Sequence, residues 1–185
     1  MKYTEIERKF ELPDPEQLID RLAAIGATAV PPVRQVDTYF NPPHRDFLAS
    51  PVISEWLRLR EQEGKTSVNY KRWLPDGAEV KTHCDEYESV IGDIEAVRRI
   101  LTALNFSPIV TVDKTRREWH AAGEVTVAVD QVEGVGSYVE FEFEGDCETV
   151  EDALAQLGKF VASLGISLGE PLNYGYPHLL LGRQK

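Results

Sequence analysis

The strongest constraint on the fold is a charge alternation that recurs on five segments of the chain. Successive side chains of a β-strand point to opposite faces, so residues two apart share a face. The charged residues at this spacing are Glu5, Glu7 and Lys9; Arg58 and Arg60; Glu86 and Glu88; Lys114 and Arg116; and Glu140, Glu142 and Glu144. One such group is ordinary for a solvated strand, but five groups of both signs indicate one specialised face.

A sheet that closes with this face inward would form a barrel with a charged interior. The apolar residues of the same strands would then point outward and pack beneath helices, and they are Ile6, Phe10, Leu57, Leu59, Phe141 and Phe143. Buried ionised groups cost several kcal/mol each unless they are paired or bind a ligand. A lumen of both signs therefore predicts a charged occupant, and a triphosphate with divalent cations satisfies both signs at once.

The rest of the sequence supplies the elements for such a barrel. Alternation predicts strands at 3–11, 35–40, 55–62, 66–74, 80–90, 110–119, 124–131 and 137–144. Capping residues and apolar periodicity predict helices at 14–25, 93–104 and 149–165, with a short helix near 177–181. Turn residues such as Gly64 and Gly123 favour antiparallel neighbours. We predict one α+β domain over residues 1–185, an antiparallel eight-stranded closed barrel with a polar, charged lumen, flanked by helices.

The overall charge excludes several classes of partner. Lys and Arg number 20 against 31 Asp and Glu, and the net charge of -11 repels nucleic acid and anionic membrane surfaces. No segment approaches the roughly 18 consecutive apolar residues of a membrane span, and the amino terminus lacks a signal-peptide core. Cys84 and Cys147 form no CxxC pair, which suits a reducing compartment. We therefore expect a cytoplasmic protein with no nucleic-acid or membrane partner.

Other common catalytic motifs are missing from the sequence. The four histidines, His44, His83, His120 and His178, have no zinc-site spacing. Gly134-Val135-Gly136 lacks the form of a phosphate-binding P-loop and precedes a predicted strand, so we interpret it as a turn. Any phosphate would therefore be held by side chains.

The ordered charged segments resemble the CYTH superfamily, the triphosphate tunnel metalloenzymes that include class IV adenylyl cyclases, thiamine triphosphatases and inorganic triphosphatases. The family signature ExExK is present as Glu5-Ile6-Glu7-Arg8-Lys9. It is followed in order by QVDTYF at 35–40, LRLR at 57–60, NYKR at 69–72, EYE at 86–88, VDKTRREW at 112–119 and VDQVEGVGSYVEFE at 129–142. Segments 37–47, 54–60 and 112–119 look most like class IV cyclases, although Asn173-Tyr174 stands where the family often has Ser-Tyr.

The resemblance implies a metal-dependent enzyme whose partner is a small-molecule triphosphate. Two Mg²⁺ or Mn²⁺ ions are the expected cofactors, since carboxylates suit hard cations. The positions that match the family's metal ligands are Glu5, Glu7, Asp130, Glu140 and Glu142. The expected triphosphate-binding residues are Lys9, Arg58, Arg60, Lys71, Lys114 and Arg116. Glu86 and Glu88 either add to these metal-binding acids or only pair with cations inside the barrel. Glu144 would lie beyond the open end of the barrel interior.

Three functional hypotheses follow. The leading one is an adenylyl cyclase, in which the ribose 3′-hydroxyl of ATP attacks the α-phosphorus with the help of metal ions and yields cyclic AMP and pyrophosphate. The second is a triphosphatase that directs water at a terminal phosphorus, with Lys9 or Lys71 as the catalytic residue that orients or deprotonates the water. The third is a non-catalytic triphosphate or polyphosphate binder. Homodimers occur among the related cyclases, and the sequence leaves the oligomeric state open.

Overall fold

Eight strands close into an antiparallel barrel in a computed structural model that describes residues 4–182. The strands are β1 (Thr4–Glu11), β2 (Thr28–Asn41), β3 (Glu55–Gln62), β4 (Lys65–Leu74), β5 (His83–Val90), β6 (Ser107–Ala121), β7 (Val125–Val132) and β8 (Gly136–Phe143), with a short β9 (Pro171–Leu172) beside β1. The order is β5-β4-β3-β2-β6-β7-β8-β1, and pairing of β1 with β5 closes the circle. The predicted α+β barrel is confirmed.

Four helices accompany the barrel within the described part of the chain: α1 (Pro15–Ala24), α2 (Ile94–Ala103), α3 (Val150–Leu164) and α4 (Tyr176–Leu180). The predicted caps form, because the side chains of Asp14, Asp93 and Thr149 each accept a hydrogen bond from a backbone N–H of the first helical turn. Gly165 ends α3 in the left-handed conformation, with φ of 62°. None of these helices is long and apolar enough to cross a bilayer.

The apolar faces of the strands point outward, as predicted. Ile6, Phe141 and Phe143 pack with Leu18 of α1 and Leu157 of α3 in the largest core cluster. A smaller cluster places Leu59 and, at its edge, Leu57 against Leu101 of α2. Because the outer surface supplies the hydrophobic cores, the interior of the barrel is left to the charged side chains.

Several strand boundaries differ from the prediction. β2 begins seven residues before Gln35, and Pro31 and Pro32 lie inside it where its ladder with β6 is irregular between Val30 and Val33. A proline cannot donate to a ladder, so this irregularity accommodates both prolines. Residues 80–82 do not belong to β5, and β9 was not predicted. Residue 3, the predicted first residue of β1, lies outside the described residues.

Side chains close one end of the barrel, and the barrel wall has a gap along one edge of β1. Aromatic and apolar side chains fill this end, with Tyr176 of α4 packed among Tyr39, Trp56, Tyr138 and Leu172. On the edge facing away from β8, β1 pairs with β5 only at residues 4–5 and with β9 only at residues 9–10. Within residues 4–182, no strand pairs with residues 6–8 on that edge. We call this gap the β1 seam.

Candidate active site

The charged side chains surround a cavity of about 180 Å³ inside the barrel, which we call the tunnel. Its charged lining consists of Glu5, Glu7, Lys9, Arg58, Arg60, Lys71, Glu86, Glu88, Lys114, Arg116, Glu140 and Glu142. Strand parity brings these residues together, since each lies on the inward face of its strand. Every predicted site residue therefore lines this cavity except Asp130, which lies behind it.

Arg58 and Arg60 form one basic group, held by a carboxylate that the sequence analysis did not select. Asp37 lies opposite Arg60 across the β2–β3 ladder and accepts two hydrogen bonds from its guanidinium, each 2.7 Å long. Arg58 Nη1 lies 3.4 Å from the same carboxylate. Burial alone would raise the pKa of Asp37, but the charge of Arg58 and the hydrogen bonds from Arg60 hold it well below its usual value.

Arg58 also carries an unused donor. Its Nε is buried and donates to no residue within the described range 4–182. A buried N–H without an acceptor costs about 1–3 kcal/mol, so a shift of the side chain that brought this Nε to an anion in the tunnel would recover that cost.

Lys114 and Arg116 form a second basic group around Asp130. Lys114 Nζ lies 2.8 Å from Asp130 Oδ2, and Arg116 donates to both carboxylate oxygens at 2.8 and 2.6 Å. The hydroxyl of Tyr176 donates to Asp130 Oδ2 at 2.9 Å. Asp130 is 0 % exposed, so the structure places this predicted metal ligand among cations. Burial and the charge of Arg116 lower the pKa of Lys114 to about 8.

Glu5, Glu7, Glu140 and Glu142 form the acidic wall of the tunnel. Lys71 Nζ lies 2.5 Å from Glu5 and 3.7 Å from Glu7. Lys9 Nζ lies 2.8 Å from Glu140, which also accepts a hydrogen bond from Arg116. The two lysines therefore occupy the space between the carboxylates.

Burial and like charge raise the pKa of two of these acids. Burial raises the pKa of Glu5 well above its usual value despite the charge of Lys71, and the carboxylate of Glu7 raises it further. Burial likewise raises the pKa of Glu142 to about 8 despite Lys71, with further contributions from Glu7 and Glu86. In the ligand-free protein, these two carboxyl groups therefore bind a proton more readily than an unperturbed glutamate does.

The chemistry of this wall fits a hard divalent cation. Among residues 4–182, no three His, Cys, Asp or Glu side chains already surround one point as a formed metal centre. Glu5, Glu7 and Glu142 nevertheless supply carboxylate oxygens, which Mg²⁺ and Mn²⁺ prefer, on the neighbouring strands β1 and β8. Glu5 also pairs with Lys71, whereas Glu140 and Asp130 each bind both a lysine and an arginine.

The surroundings of Lys9 and Lys71 bear on their predicted catalytic roles. Burial alone would lower the pKa of each ammonium, but Glu140 and Glu7 raise that of Lys9, and Glu5 and Glu7 raise that of Lys71 well above its usual value. A lysine whose pKa is raised holds its proton firmly at neutral pH. Both residues therefore suit the orientation of phosphate or water better than proton abstraction.

The remaining predicted charges lie at the edges of the tunnel. Glu86 lines it and accepts a hydrogen bond of 2.5 Å from Asn69, and Glu88 pairs with Lys65 at 3.1 Å. The exposed Glu144 contributes to a neighbouring cavity of about 510 Å³ that also contains Glu5, Glu86 and Glu142. We call this second cavity the acidic mouth. Outside the tunnel lining, Lys65, Arg72 and Arg117 have half-exposed side chains, and Lys81 donates to Ser54 at 2.9 Å.

Sequence reasoning missed two residues that support the tunnel. Asp37 shares the inward face of β2 with Gln35 and Tyr39, so the parity rule applied to QVDTYF would have found it. Tyr176 carries no such signal, because it reaches Asp130 only after the carboxyl-terminal segment has crossed the barrel end. Its ring also lies under two cations, with Lys9 Nζ 4.5 Å and Lys114 Nζ 5.0 Å from its centroid.

A family model and two sequence relatives show which proteins this chain is similar to. The family model described as CYTH domain matches residues 3–173. A protein of Methanocaldococcus jannaschii named "Putative adenylate cyclase" is 28% identical over 176 residues, which are 95% of this chain and 97% of that protein. "Adenylate cyclase CyaB" of Aeromonas hydrophila is 28% identical over 166 residues, 88% of this chain and 81% of that protein.

A solved structure from Hippeastrum shares the fold. It superimposes with a TM-score of 0.67 over 98% of this chain and 97% of its own, at 18% identity. That protein is described as a "Putative adenylyl cyclase" with a dominant triphosphatase activity. At this identity, the likeness concerns the fold alone.

Proposed function

The chain belongs to the CYTH domain family, and on that premise we propose that it is a metal-dependent enzyme acting on a triphosphate, with cyclisation of ATP to cyclic AMP and pyrophosphate as its leading activity. One observation carries the proposal. Six lysine and arginine side chains and four glutamates of the acidic wall converge on a single cavity of about 180 Å³. A chain of phosphates with its metal ions is the small ligand that matches both sets of charges.

The basic residues would bind the phosphates. Arg58 and Arg60 present planar guanidinium groups that match phosphate oxygens, and the unused Nε of Arg58 provides one donor without loss of an existing contact. Lys114 and Arg116 provide charge on another side of the tunnel, fixed in place by Asp130. Lys9 and Lys71 lie among the carboxylates of the acidic wall, where they would orient the reacting phosphate.

Glu5, Glu7 and Glu142 would hold a divalent cation. A bound Mg²⁺ or Mn²⁺ ion supplies Lewis-acid stabilisation of charge on the phosphoryl oxygens. These carboxylates would hold the ion at β1 and β8, whereas Arg58 and Arg60 lie on β3. The protein part of catalysis would then be positioning and electrostatic stabilisation.

Cyclisation and hydrolysis use the same groups and differ in the attacking oxygen. The names of the two curated relatives favour cyclisation. Hydrolysis of inorganic, thiamine or nucleoside triphosphate is the second candidate, favoured by a tunnel whose volume of about 180 Å³ matches a phosphate chain better than a whole nucleotide. The dominant triphosphatase activity described for the Hippeastrum protein agrees with this alternative.

The deciding experiment separates products. The purified protein is incubated with Mg²⁺ or Mn²⁺ and either ATP or inorganic triphosphate, and the products are resolved by chromatography. Cyclic AMP with pyrophosphate supports the cyclase, whereas release of phosphate without cyclic AMP overturns it in favour of the triphosphatase. Glu142→Ala should abolish metal-supported turnover in either case, because Glu142 is one of the proposed metal ligands. Binding without turnover, with affinity unchanged in this variant, would contradict both activities and favour a triphosphate binder.

A further inference from the structure

A second cavity, of about 410 Å³, lies at the β1 seam. Its apolar lining includes Phe10, Trp73, Val80, Leu172 and Tyr174. Glu7, Lys9 and Trp73 line both this cavity and the tunnel, so the two spaces adjoin through the gap in the barrel wall. We call it the seam pocket.

The seam pocket differs in chemistry from two other cavities that adjoin the tunnel. One of them, of about 310 Å³, shares three charged residues with the tunnel and is lined mainly by polar and charged side chains. The acidic mouth, which shares Glu5, Glu86 and Glu142 with the tunnel, also carries Glu144 and Asp146. Five carboxylates suit cations and water, and they disfavour an apolar ring. The aromatic rings and aliphatic groups of the seam pocket favour a planar organic group.

The volumes of the cavities also favour the seam pocket as the place for an organic group. The tunnel, at about 180 Å³, is smaller than the roughly 300–1,000 Å³ of cavities that enclose drug-sized ligands, whereas the seam pocket, at about 410 Å³, lies within that range. A triphosphate chain would fill the tunnel, so any organic group attached to it must lie outside. The closed barrel end blocks one direction, because Tyr39, Trp56 and Tyr176 are buried there.

Trp73 lies where the seam pocket meets the tunnel, and its ring can stack on a ligand ring. It lies on β4, where the ammonium of Lys71 approaches its ring at 5.8 Å. A cation over one part of the ring restrains it, and an aromatic face at a tunnel exit can stack on a planar ligand ring. Asn173 also lines the pocket, and its side-chain amide can pair with ring substituents.

We propose that the seam pocket binds the heteroaromatic group of an organic triphosphate whose phosphate chain lies in the tunnel. This inference rests on the proposed function, since it requires the tunnel to hold the triphosphate. It also fixes the direction of the substrate. The phosphate next to the organic group would lie near Lys9, and the terminal phosphate would point toward the acidic mouth.

The test compares two substrates that differ only in the organic group. Initial rates with Mg²⁺ give KM for ATP and for inorganic triphosphate, with Ki in place of KM for whichever compound only competes. Val80→Trp fills the pocket from an exposed position, and Tyr174→Ala removes one of its rings. Val90→Trp is the matched control, because Val90 is 66 % exposed, close to the 63 % of Val80, and does not line the pocket.

The expected result is a split between the substrates. Val80→Trp and Tyr174→Ala should raise KM for ATP about tenfold, the size expected for loss of one ring-stacking contact, and leave KM for inorganic triphosphate within about twofold. Val90→Trp should change neither. Equal changes for both substrates, or no change for either, would overturn the seam pocket assignment.

Assays of the wild-type protein distinguish failure of the seam pocket assignment from failure of the proposed function. If it turns over inorganic triphosphate while ATP is neither substrate nor competitor, the tunnel assignment survives and the seam pocket assignment fails. If neither compound is a substrate or a ligand, the proposed function fails and the pocket assignment fails with it. Circular dichroism melts of all variants establish that a loss of ATP use does not come from unfolding.

Discussion

Asp37 and Arg60 face each other across β2 and β3, and the carboxylate accepts both hydrogen bonds of the guanidinium at 2.7 Å. Asp37 is 1% exposed and Arg60 is 9% exposed, so the pair is removed from water. A pair of this kind holds a guanidinium at a fixed position and angle. The tunnel therefore presents Arg60 in a defined orientation before any ligand binds.

We expect Asp37→Asn to destabilise the protein by about 3 kcal/mol, because loss of one partner leaves a buried charge uncompensated. Urea unfolding followed by circular dichroism gives the free energy of unfolding. Asp113→Asn is the control, since Asp113 also accepts two hydrogen bonds from an arginine, Arg34, whose side chain is 70% exposed. An exposed pair contributes about 0–1 kcal/mol, so equal losses in the two variants would contradict the role assigned to Asp37.

Replacing Arg58 with lysine tests the donor geometry separately from the charge. Arg58→Lys keeps the positive charge but removes the planar group and its unused Nε. We expect KM for inorganic triphosphate to rise about tenfold, which corresponds to about 1.4 kcal/mol. Arg72→Lys on β4, where the arginine pairs with Asp76 at the surface, should leave KM unchanged. A similar KM for all three proteins would show that charge alone matters at position 58.

The barrel was predictable because each strand carries its own parity signal. The spacing of Glu5, Glu7 and Lys9 indicates a charged face without information from any other strand. Turn residues such as Gly64 predict that neighbouring strands pair in antiparallel fashion. The length of β2 was not predictable in this way. Its first residues include Pro31 and Pro32, which normally argue against a strand and are tolerated here only by the irregular ladder with β6.

The candidate site shows the same division between local and distant information. Parity identified the side chains that line the tunnel, but it could not distinguish a carboxylate that faces the cavity from one that supports its wall. Asp130 illustrates this, since its position on the inward face is correct while its oxygens are used by Lys114, Arg116 and Tyr176. Tyr176 and the β1 seam depend on how the chain end packs against the closed barrel, which no local pattern encodes.

The pKa of Glu142 predicts a pH dependence for the metal-free protein. Burial raises this pKa to about 8 in the folded state, against about 4.3 for an unperturbed glutamate. The folded protein then binds the proton more tightly than the unfolded chain, so this contribution to stability is present at low pH and is lost as pH rises toward 8. In EDTA, the melting temperature of the wild type should therefore fall more between pH 5 and 8 than that of Glu142→Gln.

Glu144→Gln provides the control for this pH dependence. Glu144 is the next inward-parity residue after Glu142, but it is exposed beyond the end of β8. Its substitution should flatten the pH profile of the melting temperature much less than Glu142→Gln does, because Glu144 is only one of the charges that raise the pKa of Glu142, after Glu7 and Glu86. If Glu144→Gln flattens the profile as much as Glu142→Gln does, the effect belongs to general surface charge and not to the acidic wall.

Tyr176→Phe removes a single hydroxyl from the support of the basic group. The ring remains, so the contacts with Lys9 and Lys114 above it are kept, while Asp130 loses the 2.9 Å hydrogen bond at Oδ2. Hydrogen bonds to charged groups contribute about 1.5–3 kcal/mol, and we expect a loss of about 2 kcal/mol in the free energy of unfolding. Tyr138→Phe is the matched control, because its ring packs on Tyr176 at 5.3 Å without contacting Asp130 through a hydrogen bond. Equal losses in both variants would show that the effect of Tyr176→Phe does not come from its hydrogen bond to Asp130, the carboxylate that holds Lys114 and Arg116.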